Sequence, residues 1–437
     1  MTHYAYDVLG RISQVIDALG NATGYAYADY GKEVTVSPPD PDGSGSLTSP
    51  ATTYQYDSAG NLISVTDTLD RETTYSYDAL GRLVCVTGTD PDGSGSLTAP
   101  TTEYTYDKVG NLLSETDPLG NTTEYVYDAR NRLTEVTLPD PDGSGSQSAP
   151  TIEYAYDAAG QLVSVTDPSG HVTSYEYDAL GRQTKVTLSD PDGSGPLGTS
   201  VTTYGYDAVG NLTKVTDPLS NITQYTYDSL NNCKTITDPR NGVTSFTYDA
   251  AGNMLTLTDP VSNTTTWTYN GLDRVTQETN QLGKTRSYSY DAVGNLTSRT
   301  DRNGRVRSFQ YDALYRTVAE TWYDTPADAQ CQTSARNAIH YTYDQAGRLA
   351  SEYDTYSSNS YSYDTLDRLT SETIANTGAS TVVLTTQYDG LEARRSVLKA
   401  TIAEESGSGF KYQLFRAIPG TRTDSGILQE SGSGFKY

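Results

Sequence analysis

Apolar and polar residues alternate along most of this chain with the two-residue period of a β-strand. In residues 101–128, TTEYTYDKVGNLLSETDPLGNTTEYVYD, Tyr104 and Tyr106 occupy alternate positions, which places both rings on one face of a strand. Residues 107–110, Asp-Lys-Val-Gly, have the signature of a type I turn, and residues 112–116 return as a second strand. An Asp-Pro-Leu-Gly turn then leads into the next Tyr-x-Tyr motif. The pattern predicts tandem β-hairpins.

The Tyr-x-Tyr-Asp motif recurs at short, regular intervals. Its Asp falls at positions 7, 57, 78, 107, 128, 157, 178, 207, 228, 249, 291 and 312, and looser copies end at 344, 364 and 389. Ala28 and Asn270 stand in the same register in place of Asp. The steps alternate between 21 and 29 residues as far as Asp207 and then stay at 21 as far as Asp312. The sequence therefore contains about seventeen hairpins.

Repetition at this period makes residues 1–395 one array rather than several domains, with a less regular pattern after residue 312. Two strands per repeat give on the order of thirty strands, whereas open twisted sheets rarely exceed about 10 strands. We therefore expect an all-β fold in which one long antiparallel sheet coils. The aromatic residues are 37 Tyr against 5 Phe and 2 Trp. Because a Tyr ring is apolar and its hydroxyl is polar, this composition suits a sheet with at least one solvent-exposed face better than a dense core.

Two stretches depart from the hairpin pattern. Residues 325–338, TPADAQCQTSARNA, contain Ala and Gln that suit a short helix or a decorated loop. In residues 396–437 the repeat vanishes, and the segment ESGSGFKY occurs twice, at 405–412 and at 430–437. We expect this last part to be an irregular, flexible tail.

The charge of the chain limits its partners. A net charge of −25 argues against a nucleic-acid groove or an anionic membrane surface, since both need clustered Lys and Arg. No apolar run is long enough to insert across a bilayer. The N-terminus enters a repeat within four residues and has no basic-then-apolar signal segment, which is consistent with a fragment of a longer protein.

The sequence contains no recognisable catalytic motif. Cys85, Cys233 and Cys331 are far apart, without disulfide or metal-ligand spacing, and we expect them to be buried small residues. His171 occupies a turn position in Asp-Pro-Ser-Gly-His, so we expect a surface histidine. No Gly-x-Ser-x-Gly, His-Glu-x-x-His or phosphate-binding glycine loop is present. We therefore predict that the protein is not an enzyme.

Every second repeat between residues 28 and 207 replaces the short Asp-Pro turn by a longer acidic loop, of which DPDGSGSL at 40–47 is the first. Oxygen-bearing side chains fall at loop positions one, three and five, and Gly falls at position six. These candidate calcium ligands are Asp40, Asp42, Ser44, Asp90, Asp92, Ser94, Asp140, Asp142, Ser144, Asp190, Asp192 and Ser194. The spacing resembles the first half of an EF-hand-type loop, but the bidentate Glu at position twelve is missing.

Two interpretations of these acidic loops stay open. They bind calcium weakly and partly through water, or they are plain acidic hairpin tips and the protein has no cofactor. Both interpretations predict that the four loops lie on one rim of the sheet, because they recur every 50 residues in place of the same turn.

The repeated motif resembles a known family. Tyr-x-Tyr-Asp-x-x-Gly-Asn-Leu or Gly-Arg-Leu, followed by Thr-Asp-Pro-x-Gly-Asn, is similar to the YD-repeat (Rhs-repeat) family over roughly residues 1–395. The resemblance implies a long β-sheet that spirals into a shell or partial shell, as in bacterial Rhs proteins, insecticidal toxin-complex proteins and teneurins. It also implies a secreted or cell-surface protein whose shell encloses or presents a partner polypeptide. The family's terminal core segment, with its self-cleavage aspartates, is absent from this chain.

Two functions remain open at this point. The first is a non-catalytic structural and interaction protein, a shell section whose partners are a polypeptide or flanking repeats. The second is a carbohydrate-binding surface module, a role also associated with the family, in which rows of Tyr would stack on glycans. Tyr at alternate strand positions is more often sheet packing, which favours the first function.

Overall fold

The computed structural model describes residues 1–43, 45–90, 98–141, 148–190, 198–388, 395–402 and 413–415. The chain divides into two compact units. The first unit comprises residues 1–88 and 101–338, and the second comprises residues 89–100 and 339–437.

The first unit is a succession of short strands, each paired antiparallel with the next. Their bounds are β1 His3–Tyr6, β2 Ile12–Ile16, β3 Ala22–Ala28, β4 Glu33–Ser37, β5 Thr52–Tyr56, β6 Leu62–Thr66, β7 Glu72–Tyr77, β8 Leu83–Thr87, β9 Thr101–Tyr106, β10 Leu112–Thr116, β11 Thr122–Tyr127, β12 Leu133–Thr137, β13 Thr151–Tyr156, β14 Leu162–Thr166, β15 Val172–Tyr177, β16 Gln183–Leu188, β17 Ser200–Tyr206, β18 Leu212–Thr216, β19 Ile222–Tyr227, β20 Cys233–Thr237, β21 Val243–Tyr248, β22 Met254–Thr258, β23 Thr264–Tyr269, β24 Val275–Thr279, β25 Thr285–Tyr290, β26 Leu296–Thr300, β27 Val306–Tyr311 and β28 Thr317–Tyr323. The pairing of consecutive strands confirms the predicted all-β array of antiparallel hairpins.

The remaining strands are β29 Asn337–Tyr343, β30 Leu349–Tyr353, β31 Ser357–Tyr363, β32 Leu369–Asn376, β33 Val382–Tyr388, β34 Arg395–Ile402 and β35 Gln413–Phe415. Consecutive strands pair antiparallel here as well. Strands β34 and β35 fall within the segment that the sequence predicted to be irregular. They form because β33 offers a ladder edge that β34 can pair with, which local composition does not reveal. Both copies of ESGSGFKY lie outside the described residues.

The turn after most Tyr-x-Tyr motifs has the hydrogen bonds of the predicted type I turn. In the hairpin of β9 and β10, the Gly110 N–H donates to the Asp107 carbonyl at 3.3 Å, and the Asp107 N–H donates to the Asn111 carbonyl at 2.9 Å. Gly110 has a φ of 102°, which an L side chain rarely adopts, and this explains the glycine of the motif.

A β-bulge follows this turn in almost every hairpin. Tyr106 lies opposite Leu112, but the preceding Thr105 lies opposite Ser114, so the second strand contains one extra residue, Leu113. The same shift recurs next to the second Tyr of the other motifs. A bulge bends its strand and increases the local twist. Because the bulge always occurs on the second strand of the hairpin, these bends share one direction, and the sheet ribbon must curve.

The hairpin of β3 and β4 shows what the motif's Asp contributes. Ala28 replaces that Asp, and the turn becomes a short 3₁₀ segment, Asp29–Gly31, in which Asp29 and Tyr30 have positive φ. The register from Tyr27 to Val34 continues without a bulge. Without the carboxylate at this position, the chain adopts a different turn.

The curvature brings distant repeats of the first unit together. The hydroxyl of Tyr315, in the turn between β27 and β28, donates to the carboxylate of Asp17, in the turn between β2 and β3, although the two residues are 298 positions apart. A cavity of about 440 Å³ lies beside this contact and is lined by Leu19, Phe309 and Tyr311 among others. The predicted coiling of the sheet is thus confirmed within this unit.

The sequence left a short helix or a decorated loop open for residues 325–338, and the structure has the helix, α1, Pro326–Cys331. The hydroxyl of Thr325 caps it by accepting from the Asp328 N–H at 3.2 Å, and Pro326 occupies the first turn. Gln332, with left-handed backbone angles, ends it. Among the described residues, no helix has the length and apolar character that a membrane span requires.

The sheet has little conventional core, as its composition predicted. The buried apolar residues among those described are Val136, Val306, Ala319 and Tyr323, and no described side chain is completely enclosed. Stability must therefore come from many half-buried residues and from hydrogen bonds between neighbouring hairpins.

Tyrosine hydroxyls supply one set of these bonds. The second Tyr of a motif donates to a backbone carbonyl next to the bulge of the preceding hairpin, as Tyr227 does to Leu212 at 2.7 Å and Tyr311 does to Leu296 at 2.8 Å. Further examples are Tyr27, Tyr77, Tyr156, Tyr177, Tyr206, Tyr248, Tyr269, Tyr290 and Tyr363. The bulge disrupts the ladder locally, and the hydroxyl provides a partner for the carbonyl. This explains why Tyr rather than Phe dominates the repeat.

We expect Tyr227→Phe to destabilise the junction between β18 and β19 by about 1 kcal/mol, since the Leu212 carbonyl loses its hydroxyl partner. Urea unfolding together with amide hydrogen exchange of these two strands measures the effect. Tyr30→Phe is the matched control, because the Tyr30 side chain is fully exposed. Equal unfolding midpoints and exchange rates for both variants would contradict the assignment.

Candidate functional site

The most regular polar arrangement in the molecule is the aspartate at the start of each turn. One carboxylate oxygen of Asp128 accepts the backbone N–H groups of Arg130 at 2.8 Å and Arg132 at 3.1 Å. The other oxygen accepts a hydrogen bond from Nε of the Arg132 side chain at 2.8 Å. A single carboxylate therefore holds the turn backbone and also orients the side chain four residues later.

The residue four positions after the aspartate is most often Arg or Asn, and His171 and Gly242 are exceptions. Asp–Arg pairs occur at 7 and 11, 67 and 71, 78 and 82, 128 and 132, 178 and 182, 301 and 305, 312 and 316, 344 and 348, and 364 and 368. Asp–Asn pairs occur at 57 and 61, 107 and 111, 117 and 121, 207 and 211, 217 and 221, 228 and 232, 249 and 253, 259 and 263, and 291 and 295.

Arginines at this position extend to the next hairpin. Arg182 donates through Nη1 to the carbonyl of Asp207 at 2.8 Å, and its guanidinium lies 4.9 Å from the ring centre of Tyr206. Arg82, Arg132, Arg274 and Arg348 make the same pair of contacts with their following turns. We call this arrangement the arginine clamp. It joins the ion pair of one turn to the backbone and the ring of the next.

The arginine clamp was not predicted from the sequence, although its signal was present. Arg recurs four residues after the motif's Asp, as in the Gly-Arg-Leu form of the repeat. The spacing indicates a local ion pair, but the contact with the next hairpin depends on how consecutive hairpins are stacked side by side.

These hydrogen bonds lower the pKa values of the turn carboxylates. The hydrogen bond from the Arg132 side chain is the leading cause for Asp128, and it lowers the pKa of that carboxyl to about 2. Side-chain hydrogen bonds from Arg82, Arg182 and Asn253 likewise lead in lowering the pKa values of the aspartates that they contact. The turns are therefore built for ionised carboxylates.

One turn with an arginine at the fourth following position begins with Asn instead of Asp, and its arginine lacks one hydrogen bond. Asn270 replaces Asp, and its side-chain oxygen accepts the N–H groups of Leu272 at 3.0 Å and Arg274 at 3.1 Å, so the turn itself is preserved. The buried Nε of Arg274, however, has no hydrogen-bond partner among the described residues. In the Asp–Arg turns, the second carboxylate oxygen accepts this donor.

The acidic loops join even-numbered strands to the following odd-numbered ones, after β4, β8, β12 and β16. The strands on either side of each loop pair antiparallel. The position of all four loops on one rim stays a prediction, since most residues of the last three loops lie outside the described residues. In the first loop, Asp40 accepts the N–H groups of Asp42 at 3.2 Å and Gly43 at 3.1 Å, while Asp42 accepts that of Leu47 at 3.1 Å. These carboxylates therefore organise the loop backbone.

Five of the twelve candidate calcium ligands, Asp40, Asp42, Asp90, Asp140 and Asp190, lie within the described residues. Ser44, Asp92, Ser94, Asp142, Ser144, Asp192 and Ser194 lie outside the described residues. Within the described ranges, no group of three or more His, Cys, Asp or Glu side chains is arranged to hold a metal ion. Calcium binding by these loops stays a prediction.

The cysteines differ from the prediction. Cys85 and Cys233 are half-buried, and Cys331 is exposed at the end of α1, so none of the three is a buried core residue. The physical reason is that a strand of this ribbon is seldom shielded on both faces, and a six-residue helix covers little surface. His171 is exposed in its turn, as predicted, and its Nδ1 lies 3.2 Å from the Asp167 carboxylate.

The repeats match a known family model. The model described as RHS Repeat matches residues 56–94, 106–143, 156–194, 192–222, 206–243, 227–264, 248–285, 269–301 and 290–321, which together exceed half of the chain. The chain belongs to the RHS repeat family. No curated protein sequence matches it.

Solved structures share the fold of this RHS repeat chain. It is similar to the TcdB2–TccC3–Cdc42 crystal structure, with a TM-score of 0.61, 18% identity and coverage of 92% of this chain and 26% of the other. The TcdB2–TccC3 crystal structure gives a TM-score of 0.54 and 17% identity, with coverage of 94% of this chain and 27% of the other. A Photorhabdus luminescens Tc holotoxin pore gives a TM-score of 0.55 and 17% identity, with coverage of 92% of this chain and 26% of the other.

At these identities the likeness concerns the fold. The RHS repeat chain has the fold of a section of an Rhs-type shell, and it spans about a quarter of the length of the chains it matches.

We expect Asn270→Asp to stabilise the RHS repeat array by about 1 kcal/mol, because the new carboxylate oxygen would accept the unpartnered Nε of Arg274. Urea unfolding and hydrogen exchange at residues 270–275 measure this gain. Asn280→Asp is the matched control, since it adds the same charge to a turn whose fourth following residue is Lys284. A gain no larger than that of the control would contradict the role given to the second oxygen.

We expect the RHS repeat array to lose stability in acid. Its turn carboxylates have lower pKa values in the folded chain than the value of about 3.9 for unfolded Asp, so the unfolded state takes up more protons as the pH falls. Their contribution is complete above about pH 5, declines through pH 4 and is lost near pH 2, where Asp128 titrates. Urea midpoints at pH 7, 4 and 2 measure this dependence. Asp128→Asn should reduce it, and a midpoint that stays constant down to pH 2 would contradict the mechanism.

Proposed function

We propose that this chain is a section of the wall of a secreted or cell-surface Rhs-type shell, and that the wall encloses or presents a partner polypeptide. Its role is architectural rather than catalytic. The partner is a polypeptide held by the whole shell, and flanking repeats continue the wall beyond this section.

The observation that carries this proposal is the use of the repeat's polar residues. The recurring Asp forms the turn, the Arg of the clamp bonds to the next hairpin, and the second Tyr satisfies a carbonyl of the preceding hairpin. A repeat whose most regularly placed polar groups serve cohesion is suited to building a wall. Several tens of such bonds replace the core that a globular domain would use.

The likeness to toxin-complex structures supports the same role. The structures that share this fold are complexes of TcdB2 with TccC3, one of which also contains Cdc42, and a Tc holotoxin pore. Such relatives also favour a location outside the cell or at its surface.

No specific observation favours the carbohydrate-binding alternative. In the arginine clamps, a guanidinium covers one face of the second Tyr ring, as Arg182 covers Tyr206, and that ring face is not open to a sugar. The hydroxyl of Tyr206 is also occupied, since it donates to the Gln183 carbonyl at 2.8 Å. Glycan binding stays a prediction.

Protease protection tests the shell. The protein is isolated from the cells that produce it, together with any associated polypeptide, and is treated with a broad-specificity protease at pH 7. We expect the associated polypeptide to survive while the wall is intact. A brief exposure to pH 2 before digestion at pH 7 should remove the protection, because acid protonates the turn carboxylates.

The control for this experiment is the associated polypeptide separated from the wall and digested under identical conditions. Recovery of the complex from the medium or the cell surface tests the location. Isolation without any associated polypeptide, or equal digestion rates with and without the wall, would contradict the proposed function.

A further inference from the structure

A cluster of arginines in the first unit is not used by the arginine clamps. Four arginines fall within nine residues, Arg299, Arg302, Arg305 and Arg307, in a chain whose net charge is −25. Strands β26, β27 and β28 bring this segment next to Trp322 and Arg336. Such a concentration of positive charge is exceptional in this sequence.

Three of these arginines line a cavity of about 230 Å³. Its lining includes Arg299, Arg305, Arg307 and Arg336, with Val306 and Trp322 as apolar wall. The guanidinium of Arg307 lies 4.6 Å from the Trp322 ring centre. The cavity is several times larger than one water molecule, and it combines charged donors with a flat aromatic surface.

Most of the charges around the cavity are paired. Arg305 bonds to Asp301 at 2.8 Å, and Arg336 bonds to Asp324 at 3.3 Å. Glu320 accepts Arg307 at 3.0 Å and also the indole N–H of Trp322 at 2.6 Å. These contacts neutralise the acidic groups at the cavity and fix the orientation of Arg307.

Arg299 is the exception. Among the described residues it has neither an ion-pair partner nor a side-chain hydrogen bond, and it is only partly exposed. It lies directly opposite Arg307 on the adjacent strand. Like charges in directly opposed positions destabilise a sheet. An anion between the two guanidinium groups would remove this repulsion.

We infer that this cavity binds an oxyanion, a carboxylate or phosphate group, between Arg299 and Arg307, with Trp322 beside Arg307 in the cavity wall. Guanidinium groups present paired N–H donors that match the oxygens of either group. The site goes beyond the proposed architectural function, because the wall would form without it.

Tryptophan fluorescence tests the site directly. The chain contains two Trp residues, and Trp267→Phe leaves Trp322 as the only one; Phe is already present at the equivalent strand position in Phe246 and Phe309. The full chain with this change is titrated with inorganic phosphate and separately with N-acetylglutamate, at constant ionic strength set by sodium chloride. We expect a saturable change with at least one of the two probes.

The two probes distinguish the source of the oxyanion. Saturation by phosphate alone identifies the ligand of the cavity as a free phosphate. Saturation by N-acetylglutamate alone identifies it as an acidic side chain of a polypeptide. Saturation by both assigns a general oxyanion site. Each of these results supports the proposal, whereas no saturable change with either probe overturns it.

Arg299→Gln should weaken binding at least about tenfold. Arg286→Gln is the matched control: Arg286 lies on β25, outside the cavity lining, and contacts Glu278 at 3.6 Å. Without anion, Arg299→Gln should unfold at an equal or higher urea concentration than wild type, since it removes the repulsion from Arg307. Equal affinity in Arg299→Gln and wild type overturns the proposal.

Arg299→Lys keeps the positive charge but loses the paired donors, so we expect intermediate affinity. It also serves as the test should Arg299→Gln fold poorly. Affinity equal to wild type in the Lys variant would show a diffuse charge effect and would overturn the site.

Discussion

The aspartate carboxylate that begins most turns is the interaction on which the repeated structure depends. The motif's aspartate accepts two backbone N–H groups of its turn through one oxygen and orients the side chain four residues later through the other. Where Ala28 replaces it, the turn changes type and the bulge disappears. Where Asn270 replaces it, the turn survives but an arginine nitrogen loses its partner. The two oxygens thus have separable tasks, one local and one directed toward the neighbouring hairpin.

The bulge that follows this turn connects local geometry to the architecture. It adds one residue to the second strand, and its repetition in the same place bends the ribbon in one direction. It also leaves a carbonyl next to the disrupted ladder, which the Tyr hydroxyl of the next hairpin satisfies. Curvature and cohesion therefore come from the same local feature. This explains how the array coils until Tyr315 meets Asp17 without a dense core.

The departures from the repeat have a different character. The segment around β26–β28 gathers arginines that are not part of the clamps, and one of them lacks an acidic partner among the described residues. An array whose structural contacts are repeated many times tolerates such local exceptions, because each hairpin depends mainly on its immediate neighbours. Specific functions can therefore arise at individual positions of an otherwise uniform wall.

The sequence by itself determined the strands, the turns and the family, because strand alternation, the Asp and Gly of each turn and the repeat period are local properties. For residues 325–338 it left a short helix or a decorated loop open, and the structure has the helix Pro326–Cys331. The tertiary structure alone decided the bulge, the clamp of Arg182 on Tyr206, the exposure of Cys331 and the cavity near Arg299. Each of these depends on which residues lie opposite each other on neighbouring strands or on what covers them. The clamp and the cavity depend on how consecutive hairpins pair, and no single hairpin encodes that register.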